Sequence, residues 1–234
     1  MNFYNNFAAY YDKIFPRNPK VIQFMDRAFK QGHILDIACG TGEYSVSLAH
    51  LNYQVTGLDL SDQMIEYAKL KAINEKVKVN FRVQNMLNIE DKDTYEGIIC
   101  IGNSLVHLDS DAEINTALEK MYQALKPHGS VIIQVINYDL ILEKKLPGLS
   151  TVTNQEYSFY RNYEFDGSKI HFKTRLTDGL RVFVDETLLF PLKHQTLLKL
   201  LTDAGFKDIK TVGGFSHDSF DLKQDITYVV TAKK

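Results

Sequence analysis

The sequence predicts an α/β fold: a doubly wound, largely parallel sheet interrupted by one antiparallel β insertion. Three observations carry this. Residues 33–49 read as a buried strand, a glycine turn and a helix, and the next strand closes on an acid, Asp59. From there to residue 139, apolar strand-like runs alternate with segments of helical periodicity. Residues 140–191 break that alternation with strand-like runs joined by Asp166-Gly167 and Asp178-Gly179, a dipeptide that favours hairpins.

A chain of 234 residues fits one domain carrying a modest insertion. The net charge of -2 gives no electrostatic reason to expect nucleic acid or an anionic membrane as partner. The two cysteines, Cys39 and Cys100, fall at predicted strand ends, so buried thiols are expected rather than a disulfide, and they make no zinc site. No apolar run reaches the length of a membrane span, and Asp12 and Lys13 interrupt the N-terminal region where a signal sequence would be apolar. A cytoplasmic location is the expectation.

In residues 1–30, Phe3, Phe7, Tyr10, Tyr11 and Ile14 share one helical face, Pro16 and Pro19 break the pattern, and a second helix starts near Lys20. The face either packs on the body of the fold or covers a ligand. Ile34, Leu35 and Ile37 form a strand buried on both sides, and Gly40 and Gly42 allow a sharp turn and a close ligand approach. Ser45 occupies the position where a dinucleotide fingerprint needs its third glycine, and no Gly-Lys-Ser/Thr follows, so the turn is a poor phosphate cradle. Asp59 lies roughly 20 residues beyond the turn, where an acid meets ribose hydroxyls in nucleotide-binding βαβ units.

Asp36-Ile-Ala-Cys-Gly-Thr-Gly42, taken with Asp59, resembles motif I and the following acidic strand end of the class I S-adenosylmethionine-dependent methyltransferases. Ala38 stands where many members have a first glycine. The resemblance implies a Rossmann-like, seven-stranded sheet with an antiparallel last strand, and S-adenosylmethionine as cofactor. It implies that Asp36, Ala38, Gly40 and Gly42 meet the methionine part and that Asp59 and Leu60 meet the ribose and its surroundings. The first helix becomes a lid, with Tyr11 reaching the methionine carboxylate or the substrate and Tyr4 behind it on the substrate side.

Ser61 is a fair N-cap for a helix whose inner face carries Met64, Ile65 and Ala68. Met64 is either core or, as the resemblance implies, packed on the adenine. A third strand is expected over 77–83. Asn85 follows it, an ordinary loop asparagine or, by the resemblance, the acceptor for the adenine amino group, with the Met86 backbone beside it. A fourth strand over 95–101 leads from Ile101, another implied cofactor neighbour, into Gly102-Asn-Ser-Leu-Val-His107. That segment resembles the glycine and sarcosine N-methyltransferases and their small-molecule relatives. Asn103 is then expected at the methyl-transfer face. His107 is either a helix-start histidine bonded to backbone or the proton acceptor.

A helix over 109–125, ended by residues 127–129, precedes a fifth strand over 130–136 that runs into Asn137-Tyr138-Asp139. Strand ends on one edge of a parallel sheet bind ligands, so Asn137 and Tyr138 are substrate candidates. Within the insertion, strands are expected over 152–165, 169–177 and 180–190, capping the site. Arg161 shares a face with Tyr157, Phe159 and Tyr163, where it either stacks structurally or clamps a substrate carboxylate. A helix over 193–204 and strands over 206–212 and 225–232 complete a main domain of residues 1–139 and 192–234, with the cap as residues 140–191.

These expectations amount to a methyl transfer to a small acceptor, most plausibly an amine, with Asn103, His107 and Asn137 as the catalytic set and no metal. A non-catalytic cofactor-binding module and a nicotinamide oxidoreductase are the competing classes. The missing third glycine counts against the second of them. RNA or protein methylation ranks lower, on net charge and the capping insertion.

Overall fold

The computed structural model describes residues 3–29, 31–216 and 218–234, with the side chains of residues 3–7 outside the described set. Two helices come first, α1 (Phe3–Ile14) and α2 (Pro19–Ala28). Pro19 starts α2 rather than breaking it. Asn18 caps the helix by accepting from the Lys20 N–H at 3.0 Å, and at the first helical position the missing proline N–H has no intrahelical partner to lose.

The alternating part follows as β1 (His33–Ile37), α3 (Glu43–His50), β2 (Gln54–Asp59), α4 (Asp62–Asn74), β3 (Asn80–Val83), β4 (Tyr95–Cys100), α5 (Asp111–Ala124) and β5 (Leu125–Ile136). Then come α6 (Tyr138–Glu143), the inserted strands β6 (Gly148–Thr153), β7 (Ser158–Phe165), β8 (Ile170–Thr177) and β9 (Val182–Leu189), and finally α7 (His194–Asp203), β10 (Lys207–Gly213) and β11 (Thr227–Lys233).

The main sheet has seven strands in the order β10-β11-β5-β4-β1-β2-β3. β1 to β5 are parallel, and β11 runs antiparallel to both β5 and β10. Both faces are covered, and period-two alternation sorts the side chains. Leu35 and Ile37 join the core beneath α5 and α7, while Ile34 joins Val21, Phe24 and Met25 of α2 and Leu48 of α3. Asp36 therefore points to the α3 side as a buried acid. The chain leaves β1 toward β2 and β3, then returns to β4 on the other flank of β1. The carboxyl ends of β1 and β4 thus bracket the switch point where such sheets bind ligands.

Three boundaries differ from expectation. β3 is short, and Val77 and Val79 pack beside α4 instead of pairing. α5 ends at Ala124, before Pro127, because the residue ahead of a proline is driven out of the helical region. β5 begins at once with Leu125 opposite Tyr95, while Ser130 lies opposite Gly97, so four residues including Pro127 stand across from one. The expected strand over 152–165 is two strands. Asn154 accepts from the Glu156 and Tyr157 N–H groups at 2.9 and 2.8 Å and closes a turn between β6 and β7.

The four inserted strands form a wholly antiparallel sheet, β6-β7-β8-β9. Asp166 and Asp178 each accept from backbone N–H groups two and three residues on, which is how the two Asp-Gly hairpins are fixed. Tyr163, Ile170 and Leu189 of this sheet continue the main core, whereas Phe159 and Leu176 pack on Ile14 of α1. The first helix is therefore held between the main sheet and the inserted one.

Candidate active site

The turn after β1 is built on left-handed backbone. Ala38, Gly40 and Gly42 have φ of 57°, 55° and 74°. At Gly42 a Cβ would stand 2.7 Å from Phe81 and 2.9 Å from Ala68, so helix packing alone demands glycine. At Gly40 a Cβ would find ordinary contact with the Tyr11 ring at 3.7 Å, and at Gly102, after β4, only the Ser104 hydroxyl at 3.9 Å. Both positions face room rather than packed protein, and α1 supplies the cover over the first.

Two carboxyls lie beside this turn. Asp36 is 2% exposed and accepts from the Ser45 hydroxyl at 2.6 Å. Burial pushes its acid up to about 7, against the pull of the Ser45 hydrogen bond and with help from the charge on Asp59. Asp59 accepts from the Gly40 N–H at 2.8 Å and the Ser61 N–H at 2.9 Å. Burial raises it too, despite those bonds. The groups acting on the pair are a hydroxyl, backbone N–H groups and, on Asp36, the charge of Asp59, so the crevice is electronegative; Lys71 stands beside the turn, 3.4 Å from the Thr41 hydroxyl, and pairs with Asp12 and Glu43. Cys39, between them in the chain, has its thiol raised well above its ordinary value by burial and by both acids.

Tyr11 lies over the turn, its hydroxyl raised by burial and by the charge on Asp59. The next residue, Asp12, accepts from the hydroxyl of Thr41, the residue between the two glycines, and pairs with Lys71 of α4 at 2.8 Å. The Tyr4 side chain, expected on the substrate side, lies outside the described residues. Leu60 is 46% exposed beside Asp59 and offers an apolar platform. Met64 is 1% exposed, turned inward with Ile65 and Ala68. Its inward packing accounts for the core reading of the two, and the adenine contact stands as an expectation. Asn85 caps a short 3₁₀ turn, Met86–Asn88, accepting from the Leu87 N–H at 2.9 Å, which leaves its carbonyl one lone pair. Met86 and Ile101 are partly buried at the rim.

The acceptor side departs most from expectation. Asn103 has φ of 67°; its amide donates to the Tyr138 hydroxyl at 2.8 Å and its carbonyl accepts from the Ile136 N–H at 3.0 Å. It ties the ends of β4 and β5 together instead of facing outward. Asn137 is fully buried and committed. It donates to the Leu222 and Asp225 carbonyls at 2.9 and 2.8 Å and caps α6 by accepting from the Leu140 N–H at 3.2 Å. Tyr138 is also fully buried, its hydroxyl turned to Asn103. Protein groups thus partner all three side chains, and their substrate roles stand as expectations. Burial pushes His107 down to about 4, so its ring is neutral at neutral pH and a weak base.

Arg161 sits on the inner face of the inserted sheet with Phe159 and Tyr163, as its spacing requires. Its Nη2 donates to the Ser150 carbonyl at 2.5 Å, and its guanidinium lies 6.0 Å from the Phe15 ring centroid. Its Nε is buried without a hydrogen-bond partner, and the buried hydroxyl of Tyr163 lies beside that of Tyr138. Sequence reasoning assigned Tyr163 no role, though it shares the arginine's face. Two open clefts lie elsewhere: about 380 Å³ at the opposite edge of the main sheet beside His33 and Glu96, and about 480 Å³ on the outer face of the inserted sheet beside Tyr160 and Arg175. Neither touches the switch point, which α1 closes.

A family model described as a methyltransferase domain matches residues 34–129. A glycine/sarcosine N-methyltransferase from Halorhodospira halochloris is 31% identical over 220 residues, covering 90% of this chain and 80% of that protein. The chain belongs to the class I S-adenosylmethionine-dependent methyltransferases. A second relative of the same description, from Aphanothece halophytica, is 30% identical over 215 residues, covering 86% and 76% of the two chains. A solved S-adenosylmethionine-dependent methyltransferase from Clostridium acetobutylicum shares the methyltransferase fold with a TM-score of 0.82 at 22% identity, over 99% of each chain.

The crevice of this methyltransferase fits S-adenosylmethionine. The cofactor's positive sulfur and ammonium suit a buried acid and a half-buried one that, among the described residues, pair with no cation, and its bulk suits a turn that would admit a Cβ at Gly40. The lone pairs of Asp59 not engaged by Gly40 and Ser61 would take ribose hydroxyls, and the turn with Asp36 would take the methionine end.

Proposed function

We propose that this methyltransferase transfers the methyl group to the amine nitrogen of a small molecule that also carries a carboxylate. The observation that carries the reading is Arg161: a guanidinium facing inward from the cap, with its Nε–H buried and unpaired. Such a group is costly to leave unsatisfied, and a carboxylate is the acceptor whose geometry matches it. The glycine/sarcosine N-methyltransferases among its relatives act, by their names, on amino acids.

When bound, S-adenosylmethionine supplies a methyl group on a positively charged sulfur, already activated for attack. The chain's task is alignment and the exclusion of water, and alignment is worth many orders of magnitude in rate. Arg161 anchors the acceptor's carboxylate and aims its amine at the crevice. The buried Tyr163 hydroxyl, beside that of Tyr138, shares the arginine's face and would accept from or donate to the same molecule. α1, with Tyr11 over the turn, keeps solvent from the reacting atoms. The attacking amine enters neutral, and its product gives up one proton. His107, a neutral ring held near 4, is a poor resting place for it, so the proton leaves to solvent once the lid opens. Asn103, Asn137 and Tyr138 act by holding the ends of β4 and β5 and the start of α6 in place. No described helix is long and apolar enough to cross a membrane, and we place the reaction in the cytoplasm, without nucleic acid as partner.

The test is a panel of amino acids, simple amines, phenols and carboxylates incubated with labelled methyl donor. Turnover confined to compounds bearing both amine and carboxylate supports the reading. Arg161→Met should then raise the acceptor KM by about 2 kcal/mol, near thirtyfold, with the cofactor KM unchanged. Turnover of phenols with the amino acids inert overturns it, and so does an Arg161→Met enzyme with an unaltered acceptor KM. No turnover with any compound would favour a binding module.

A further inference from the structure

α1 is attached differently on its two sides. Toward the inserted sheet its contacts are mainly apolar and aromatic: Ile14 packs on Phe159 and Leu176, and Tyr10 lies 5.3 Å from the Tyr157 ring and 5.6 Å from Phe183, with Lys13 as an exposed polar link that donates to the Tyr157 hydroxyl at 2.8 Å and lies 3.7 Å from Glu156. Toward the main sheet, beside the Tyr11 ring over Gly40, it makes charged and hydrogen-bonded attachments. One Asp12 oxygen accepts from Thr41 and the other meets Lys71 at 2.8 Å. Lys71 also pairs with Glu43 at 2.5 Å, and both of those side chains are largely enclosed, at 13% and 14% exposure. Arg17, in the connection between α1 and α2, pairs with Glu43 and, at 2.8 Å, with Glu75, the residue that follows α4.

We propose that Asp12, Lys71 and Glu43 form an ionic clasp that fastens the first helix over the cofactor turn and sets how fast cofactor and product exchange. Asp12 is a positioning residue here, since it adjoins Tyr11 in the chain and bonds Thr41 inside the turn itself. Tyr11 cannot leave its place over Gly40 without moving Asp12, and Asp12 cannot move without giving up Lys71. Because the clasp is charged and partly enclosed, its rupture costs more than that of an exposed pair, yet it stays sensitive to added salt. The apolar contacts that α1 makes with the inserted sheet do not share that sensitivity. The proposal rests on the turn being the cofactor site.

Stopped-flow measurement of S-adenosylhomocysteine association with, and release from, the full chain tests it. In the parent, release should quicken as salt is raised. Lys71→Met should release the product faster, on the order of fivefold, with the salt response lost, and Lys71→Arg should restore both. Asp12→Asn, which keeps the Thr41 bond and removes the charge, should resemble Lys71→Met. Melting temperatures recorded alongside separate this from a purely structural role, which would lower stability without changing the salt response. A salt-independent parent, or a Lys71→Met protein that exchanges like the parent at every salt concentration, overturns the clasp. If, separately, altering Asp59 leaves product affinity untouched, the placement of the cofactor is what fails.

Discussion

Asp59→Asn isolates the acid that the cofactor reading depends on most. The carboxylate holds two backbone N–H groups, Gly40 through one oxygen at 2.8 Å and Ser61 through the other at 2.9 Å. An amide of the same shape offers one oxygen and one NH₂, so one of those N–H groups would meet another donor. Losing a hydrogen bond to a charged acceptor costs about 1.5–3 kcal/mol, while removing a buried charge, raised in pKa by desolvation, returns part of that. The net effect on folding is then about 1 kcal/mol, a fall of roughly 2–4 °C in melting temperature for a chain of this size. Binding should suffer more, because the ribose hydroxyls lose a charged acceptor and the turn loses its anchor at Gly40. About 2 kcal/mol corresponds to close to thirtyfold in Kd. Titration calorimetry with S-adenosylhomocysteine, with thermal unfolding of the same samples, reads both quantities. A variant that melts like the parent and binds within about twofold of it would refute the reasoning.

Asp36 makes a pH-dependent prediction. Its acid is raised from 3.8 to about 7 in the folded chain, so the fold favours the protonated form. Its contribution to stability is fully present below the unfolded value and is lost as pH rises through the folded one, amounting to a few kcal/mol. Asp36→Asn should therefore raise the neutral-pH melting temperature of the cofactor-free protein and flatten its fall between acid and neutral pH. A variant less stable than the parent at neutral pH would contradict this. Asn137→Ala should cost about 3 kcal/mol, since two carbonyls and the α6 cap lose a partner, lowering the melting temperature by roughly 6–12 °C. Unchanged melting with a large loss of activity would return Asn137 to the substrate.

The parallel core was legible because burial on both faces turns its strands into short apolar runs, and Asp36 and Asp59 interrupt those runs at their ends. Ser61 was legible as a cap, and it does accept from the Met64 N–H, at 3.2 Å. The two Asp-Gly hairpins form where their chemistry demands. The asparagines were not legible. Asn103 and Asn137 stand at strand ends, where a short amide serves a cap and a ligand equally well. What decides Asn137 is a pair of carbonyls, Leu222 and Asp225, more than eighty residues along the chain. No local pattern announces them. The cap signature ahead of Leu140 was present, however, and α6 with it. Ser45 was noted for the glycine it replaces, while its hydroxyl proves to be the partner of Asp36. The Asp12–Lys71 pair joins segments that only the tertiary fold brings together.

Cys39 lies within the turn that would cradle the methyl donor, and a thiolate is among the strongest nucleophiles a protein can offer an alkylating agent. Burial and the charges on Asp36 and Asp59 hold it as a thiol. The carboxyls that make the crevice attractive to a sulfonium thereby also help keep a neighbouring thiol protonated.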